Sequence, residues 1–191
     1  VKRSKVSKEE IDDVIIGAAG QQGSQQGNIA RQSLLRAGLP VSVAGMSLDR
    51  QCASGMMAIA TAAKEITEDG MTITVGGGVE SVSLVRNENF RMDRARDPWL
   101  EENIPSLYMT MIETAENVAK RYGISREAQD EYSLQSQMRT ARAQQNGYMD
   151  KEIVPLKSTM KYKDKETGEI SSHDVCIEKD EGNRPSTTFE G

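Results

Sequence analysis

The chain has 191 residues, a formal net charge of −5, and 37% hydrophobic against 28% charged residues. The acidic balance argues against nucleic acid as the main partner, because phosphate binding requires a basic face. No apolar run approaches the ~18 residues of a membrane-spanning helix, and Cys52 and Cys176 lack the paired spacing of a disulfide framework or a zinc site.

These properties set expectations about compartment and metal content. We expect no bound metal and a reducing compartment, either the cytoplasm or an organelle matrix, because the cysteines are few and unpaired. The opening residues 1–10 are charged, so the sequence predicts no signal peptide.

Strand and helix patterns alternate over the first 85 residues. Asn28 is expected to cap a helix that Gly38 ends. Alternation of this kind predicts a largely parallel sheet covered by helices. Strands are predicted over 14–19, 43–48 and 71–75, and helices over 29–37 and 53–66.

Three consecutive glycines follow the third predicted strand at 76–78. A phosphate-binding loop would need a G-x-G-x-x-G or Walker spacing, and neither occurs here. The glycines therefore favour a strand that passes close to another backbone.

The residues after 85 are more polar. An irregular segment over 86–107 precedes two predicted helices, and the remainder predicts short strands and a hairpin. His173 lies in a polar stretch that we interpret as a surface loop without a catalytic role. The helices are predicted over 112–122 and 126–146, the strands over 153–156 and 175–177, and the hairpin over 162–168.

Cys52 is the most informative residue, because it stands between the second strand and a helix rich in small residues. We expect the thiol in the first turn of that helix, where unpaired N–H groups and a partial positive charge favour an anion. A cysteine so placed can have its pKa lowered from ~8.5 to between ~3.5 and ~7.5. The alternative is a buried cysteine that acts as a small hydrophobe. The many small residues over 53–63 leave little bulk on this helix, which favours a central helix and hence a nucleophile.

The residues around this cysteine resemble the thiolases, the family of acetyl-CoA acetyltransferase and 3-ketoacyl-CoA thiolase. Residues 49–55, Asp-Arg-Gln-Cys-Ala-Ser-Gly, are similar to the acyl-cysteine motif, and residues 76–83 to the Gly-Gly-x-Glu-Ser segment. Further segments are similar to thiolases in the same order, at 27–32, 112–119, 125–130 and 150–155.

The resemblance implies an acyltransferase with an acyl-thioester intermediate on Cys52. Such an enzyme cleaves 3-ketoacyl-CoA by thiolysis or condenses two acetyl-CoA molecules. It also implies that the Cys52 N–H stabilises negative charge on oxygen, and that Met111 and Arg184 contact CoA. No cofactor is expected, since CoA is a substrate. The partners implied are acyl-CoA, CoA and further copies of the chain in a homodimer or homotetramer.

The implied fold is a thiolase-like layered α/β fold. It has a mostly parallel sheet, a buried nucleophile helix and an inserted α/β loop domain. Residues 1–85 would form part of the N-terminal core without its first strand, and residues 86–191 the loop domain with the CoA-binding residues. The family's second half, which holds an activating histidine and an acid–base cysteine, has no counterpart in this sequence.

Three functions therefore stay open at the level of sequence. The chain is part of a complete thiolase, a non-catalytic thiolase-like fragment that binds CoA or a partner subunit, or part of a condensing enzyme acting on carrier-bound thioesters. We favour the first, because an incomplete sheet exposes the unpaired backbone groups of its edge strand, and in an isolated chain such an edge promotes aggregation.

Overall fold

A computed structural model describes residues 1–190, which divide into two compact units. The first is Val1–Asp97 and the second begins at Pro98. The sequence-based boundary at 85/86 lies twelve residues earlier, and the assignment of these parts to a core and an inserted loop domain stays a prediction. Gly191, the last residue of the predicted loop domain, lies outside the described residues.

The first unit is a three-stranded parallel sheet with helices, as the alternating pattern predicts. Asn28 caps the first helix through its side-chain oxygen, which accepts from the Arg31 N–H at 3.1 Å. Gly38 follows this helix with a φ of +76°. The elements are β1 (Asp13–Gly17), α1 (Ile29–Arg36), β2 (Ala44–Leu48), α2 (Ser54–Thr67), β3 (Thr74–Gly78) and the short α3 (Val82–Val85).

Strand β1 lies in the middle of the sheet, with the order β2-β1-β3. Its two faces are both buried. Val14 packs in a cluster with Leu34 of α1, and Ile15 packs with Ala58 and Ala62 of α2. The continuous apolar run that predicted this strand therefore reflects helices on both sides of it.

Strand β3 begins three residues later than the sequence suggests and includes the glycine triplet. The N–H groups of Thr72 and Ile73 donate to the Asp12 carboxylate, at 2.7 and 3.1 Å, so this segment pairs with a side chain. Regular pairing with β1 then runs from Asp13–Thr74 to Gly17–Gly78. These two hydrogen bonds also lower the pKa of Asp12, the Ile73 bond contributing most.

The glycines of β3 allow α2 to lie directly on the sheet. A Cβ placed on Gly76 would stand 2.8 Å from Ile59 Cα and 3.1 Å from the Ala58 carbonyl oxygen, whereas one on Gly77 would meet nothing within 4 Å. The interpretation of the triplet as a close backbone passage is confirmed at Gly76.

Helix α2 is covered on one face within the described residues. Ser54, Ala58, Ala62 and Glu65 are buried, while Met56 and Ile59 are 77% and 57% exposed. The sequence predicted a central helix. In residues 1–190, only the face of α2 toward β1 and β3 is buried.

The second unit contains helices followed by a β-hairpin. The short α4 (Pro98–Asn103) lies in the segment expected to be irregular. Helix α5 (Met111–Tyr122) starts with a capping box between Thr110 and Glu113 and ends at Gly123, whose φ is +64°. Helix α6 (Arg126–Gln145) is capped by Ser125, as predicted.

The hairpin is longer than the sequence predicts: its turn overlaps the predicted hairpin at 162–168, and the predicted strand at 175–177 lies within its second strand. Strands β4 (Leu156–Lys163) and β5 (Ile170–Ile177) pair antiparallel over their whole length. The predicted strand at 153–156 is wrong except at Leu156. His173 lies on β5 opposite Met160 and not in a loop, because the polar residues around it occupy an exposed two-stranded ribbon.

Among residues 1–190, no helix has both the length and the apolar composition needed to cross a membrane.

The two neighbouring glycines of β3 provide a matched stability test. Gly76→Ala should lower the free energy of unfolding by about 1–3 kcal/mol, because the added Cβ meets the backbone of α2. Gly77→Ala should stay within about 0.5 kcal/mol of the unsubstituted protein. Urea unfolding of the full-length polypeptide that contains this chain measures both. Equal effects of the two substitutions would contradict the packing of α2 on β3.

Candidate active site

The candidate site lies at the carboxyl edge of the parallel sheet, where β1 and β3 end and α2 begins. Such an edge is where open α/β sheets commonly bind ligands. A cavity of about 570 Å³ occupies this edge, and Cys52 is among the residues that line it. Its size falls in the range of small-molecule sites.

The loop that carries Cys52 is held in an unusual conformation. Gln51 has a φ of +48°, a left-handed backbone conformation that residues other than glycine adopt at a cost in free energy. The Asp49 carboxylate accepts from the Gln51 N–H at 2.7 Å. Buried Ser54 donates its hydroxyl to the Gln51 carbonyl at 2.6 Å and accepts from the Arg50 N–H at 2.9 Å. Both ends of the loop are therefore fixed around the cysteine.

Cys52 lies two residues before the first helical residue, so its predicted place in the first turn of α2 is corrected. Ala53 occupies the N-cap position and Ser54 begins the helix. The reason is the pair of tight turns that close from Ala53 N–H to Arg50 O and from Ser54 N–H to Gln51 O. Cys52 is exposed, in contrast to the alternative of a buried structural cysteine.

The backbone beside the thiol offers free hydrogen-bond donors. Among residues 1–190, the N–H groups of Cys52, Gly55 and Met56 donate to no acceptor. The start of α2 adds the partial positive charge of a helix N-terminus. The site can therefore stabilise negative charge next to the sulfur.

Glycines bring the start of α2 onto the ends of β1 and β3. A Cβ on Gly17 would lie 2.2 Å from the Ser54 carbonyl carbon, and one on Gly78 would lie 3.0 Å from Gly55 Cα. Only residues without side chains permit this approach. The position of Cys52 thus depends on glycines in strands that are distant from it in sequence.

A carboxylate that sequence reasoning assigned no role organises the other side of the cavity. Glu80 accepts from the Ala19 N–H at 2.9 Å, the Gly20 N–H at 3.3 Å and the side-chain amide of Gln25 at 2.7 Å. Gln25, which is 3% exposed, also donates to the Gly20 carbonyl and accepts from the Ser81 N–H. This Gln25–Glu80 network joins the loop after β1 to the loop after β3.

The Gln25–Glu80 network keeps Glu80 ionised. The hydrogen bond from Gln25, followed by those from the Ala19 and Gly20 N–H groups, lowers the pKa of Glu80, and the nearby charge of Arg86 acts in the same direction. The sequence signal for Glu80 was its place in the Gly-Gly-x-Glu-Ser segment, two residues after the end of β3. Gln25 stands in a glutamine-rich loop that gives no such signal.

Arg86 also lines the cavity and was not predicted as a site residue. It follows α3, and its guanidinium carbon lies 5.8 Å from the centroid of the Phe90 ring. It is one of four arginines in residues 86–97, a segment that also contains three acidic residues. Arg91, another of these, does pair with an acid, Asp93, at 3.1 Å.

The two residues expected to contact CoA belong to the second unit, whereas Cys52 belongs to the first. Met111 is the first residue of α5 and is 75% exposed. The backbone N–H of Arg184 donates to the Gln137 side chain of α6 at 2.6 Å. Its guanidinium makes no hydrogen bond or ion pair among the described residues. The roles of Cys52, Met111 and Arg184 stay predictions.

The arrangement as a whole suits covalent chemistry on sulfur. It combines an exposed thiol, free N–H donors, an ionised carboxylate and a cation around one cavity. The described residues contain no group of acidic, histidine or cysteine side chains able to hold a metal ion. The one histidine of the sequence, His173, lies on β5 of the second unit.

Comparison with known proteins identifies similar chains over the full sequence. The family model for the thiolase N-terminal domain matches residues 1–191. The β-ketoadipyl-CoA thiolase of Pseudomonas putida is 38% identical over 199 residues, which cover 97% of this chain and 47% of that protein. The 3-ketoacyl-CoA thiolase of Bacillus subtilis strain 168 is 38% identical over 193 residues, covering 98% and 47%.

A solved structure shares the fold. The crystal structure of the Bacillus anthracis acetyl-CoA acetyltransferase superposes with a TM-score of 0.76 at 35% identity, and the match covers 100% of this chain and 48% of that one. The chain thus spans about half the length of the curated relatives it matches.

The ionised state of Glu80 predicts a pH dependence of stability. Because its pKa is lowered on folding, Glu80 stabilises the folded state above the unfolded carboxyl value and loses that contribution as the pH falls through the folded value. Glu80→Gln should therefore lose less stability between about pH 5.5 and pH 3.5 than the unsubstituted protein does. Urea midpoints of the full-length polypeptide measure this.

Glu88→Gln is the matched control, since Glu88 makes no hydrogen bond in the described residues. It should reproduce the pH profile of the unsubstituted protein. An unchanged profile in Glu80→Gln would contradict the role of the Gln25–Glu80 network.

Proposed function

Because the chain belongs to the thiolase family, we propose that it carries the nucleophile of an acyltransferase that cleaves 3-oxoacyl-CoA or condenses two acetyl-CoA molecules. The observation that carries the proposal is the position of Cys52, an exposed thiol beside free N–H groups in the cavity at the carboxyl edge of the sheet. The activity is that of the whole polypeptide, of which these residues supply the nucleophile half.

The first step transfers the acyl group to sulfur. A base takes the proton of the Cys52 thiol, and the thiolate attacks the C3 carbonyl of 3-oxoacyl-CoA. A carbon–sulfur bond forms, the C2–C3 bond breaks, and its electron pair leaves with acetyl-CoA as an enolate that an acid protonates. The shortened acyl group stays on Cys52 as a thioester, which divides one difficult cleavage into two easier steps.

The second step returns the enzyme to its starting state. The acid that protonated the enolate is now deprotonated and takes the proton of a CoA thiol, which attacks the thioester carbonyl carbon as the bond to Cys52 breaks. Acyl-CoA leaves, and the Cys52 thiolate regains its proton from the base that took it in the first step. The sequence holds no counterpart of the family's activating histidine and acid–base cysteine. We therefore assign the base and the acid to residues outside this chain, as the resemblance to thiolases implies.

Free backbone donors support this chemistry. Both steps place negative charge on a carbonyl oxygen, and preorganised N–H groups stabilise such charge most where they need no other partner. The N–H groups of Cys52, Gly55 and Met56 meet that condition in residues 1–190. We assign the Cys52 N–H to the oxyanion, as the resemblance implies.

The second unit would hold CoA through one apolar and one cationic contact. Exposed Met111 offers a flexible apolar surface for the pantetheine arm. Arg184 offers a guanidinium without an acidic partner in the described residues, which suits a phosphate. CoA acts here as a substrate, and no further cofactor is proposed. Assembly into dimers or tetramers also stays a prediction.

Substitution of the nucleophile tests the proposal directly. Incubation of the full-length protein with acetyl-CoA should add one acetyl mass to the peptide that contains Cys52, measured by mass spectrometry after digestion. Cys52→Ala should abolish the adduct and thiolysis. Cys176→Ala removes the other exposed cysteine and should leave both unchanged. Thiolysis that persists in Cys52→Ala would rule out the mechanism. An inactive protein that still binds CoA would favour the non-catalytic alternative.

The role of Arg184 predicts a separate kinetic effect. Arg184→Ala should raise the KM for CoA several-fold and leave kcat within about twofold, because uniform binding is lost. Arg121→Ala, which removes a cation from α5, is the control and should change neither constant. A lower kcat at unchanged KM would contradict the assignment.

A further inference from the structure

We infer that Arg86 selects acyl groups that end in a carboxylate, so that the substrates are CoA thioesters of 3-oxo dicarboxylic acids. This inference rests on the proposed function, because it names the acyl group that Cys52 receives. It concerns specificity and not the chemical steps, which proceed on any acyl thioester.

Arg86 is the one cation among the described residues that line the Cys52 cavity. The cavity is otherwise lined mostly by small, apolar and uncharged residues, with Glu80 as its one carboxylate. A cation and a nucleophile around one space of about 570 Å³ imply a ligand that has both a reactive carbonyl and an anionic group.

The backbone of Arg86 is anchored, so its side chain projects from a fixed point. Val85, directly before it, is 3% exposed. The Arg86 N–H donates to the Val82 carbonyl at 2.8 Å, and the Ser81 N–H donates to buried Gln25. The short helix α3 is thereby tied to the Gln25–Glu80 network on one side of the cavity.

The guanidinium of Arg86 keeps its donors free for a ligand. Among residues 1–190 it makes no hydrogen bond and no ion pair, and its one described side-chain contact is with the Phe90 ring, 5.8 Å from the ring centroid. A guanidinium without an acidic partner can bind a carboxylate through two parallel N–H···O hydrogen bonds.

Glu80 does not serve as that partner. Its oxygens already accept from two backbone N–H groups and from Gln25, and no ion pair joins it to Arg86 in the described residues. The oxygens of Glu80 are thus held by fixed donors. The charge of Arg86 acts on Glu80 without a hydrogen bond between them, and the N–H groups of Arg86 are left for the ligand.

A contact between Arg86 and a CoA phosphate is the competing source of an anion. The pantetheine arm separates those phosphates from the thioester, whereas the far end of a short acyl group stays near the sulfur that carries it. The location of Arg86 in the Cys52 cavity therefore favours the acyl carboxylate.

The test compares two acyl donors that differ only at the far end of the acyl group. Succinyl-CoA carries a terminal carboxylate, and butyryl-CoA has the same carbon number with a methyl end. The rate of acylation of Cys52 in the full-length protein is measured for each by quenched-flow mass spectrometry. Both donors carry the same phosphates, so a phosphate contact would affect both rates alike.

We expect the unsubstituted protein to prefer succinyl-CoA. Arg86→Gln should reduce acylation by succinyl-CoA about 10- to 100-fold, the effect of losing a charge-assisted hydrogen bond. It should leave acylation by butyryl-CoA within about threefold. Arg86→Lys should recover part of the preference, since lysine keeps the charge but cannot form the two parallel hydrogen bonds. Arg91→Gln removes an equal charge outside the cavity and should change neither rate.

Two results would overturn the inference alone. One is acylation at equal rates by both donors in the unsubstituted protein, and the other is an equal loss for both donors in Arg86→Gln. If neither donor forms an adduct on Cys52, the proposed function and this inference fall together.

Discussion

The close backbone contact between the start of α2 and the ends of β1 and β3 is the constraint on which the site depends. A side chain at position 17 or 78, where the strands have Gly17 and Gly78, would have no room beneath Ser54 and Gly55. Because α2 lies this near the sheet, its free N–H groups stand at the carboxyl edge, and the loop before it must turn sharply. The thiol, the donors and the cavity all follow from that one contact.

The sharp turn carries a conformational cost that neighbouring hydrogen bonds offset. Gln51 adopts a left-handed backbone, which costs a residue with a side chain about 1–2 kcal/mol. Asp49 and buried Ser54 bind its N–H and its carbonyl. Strain of this kind persists where surrounding contacts hold the residue in the strained conformation. Such residues are frequently found at functional sites. The loop thereby exposes Cys52 while the residues around it are fixed.

The cavity has two sides that are built by different means. Backbone N–H groups line the Cys52 side, whereas side chains organise the other, where buried Gln25 holds Glu80 and fixes the chain before Arg86. The first side suits chemistry that is common to all acyl groups, because it addresses only the carbonyl. The second side presents the charges of Glu80 and Arg86. In the proposed function, the first side would serve the reaction and the second the discrimination between acyl groups.

The sequence by itself determined most of the elements of the first unit and led to Cys52 as the proposed nucleophile, because both depend on local signals. The apolar run of β1, the Asn28 cap and the motif around Cys52 each lie within a few residues. It placed the start of β3 three residues too early and missed most of the length of the two hairpin strands, since the Asp12 carboxylate and strand pairing act across long separations. Tertiary structure alone decided that Cys52 precedes α2, that Gln25 binds Glu80, and that Arg86 lies in the same cavity as the thiol. Those facts depend on residues that only the folded sheet brings together, and no spacing along the chain encodes them.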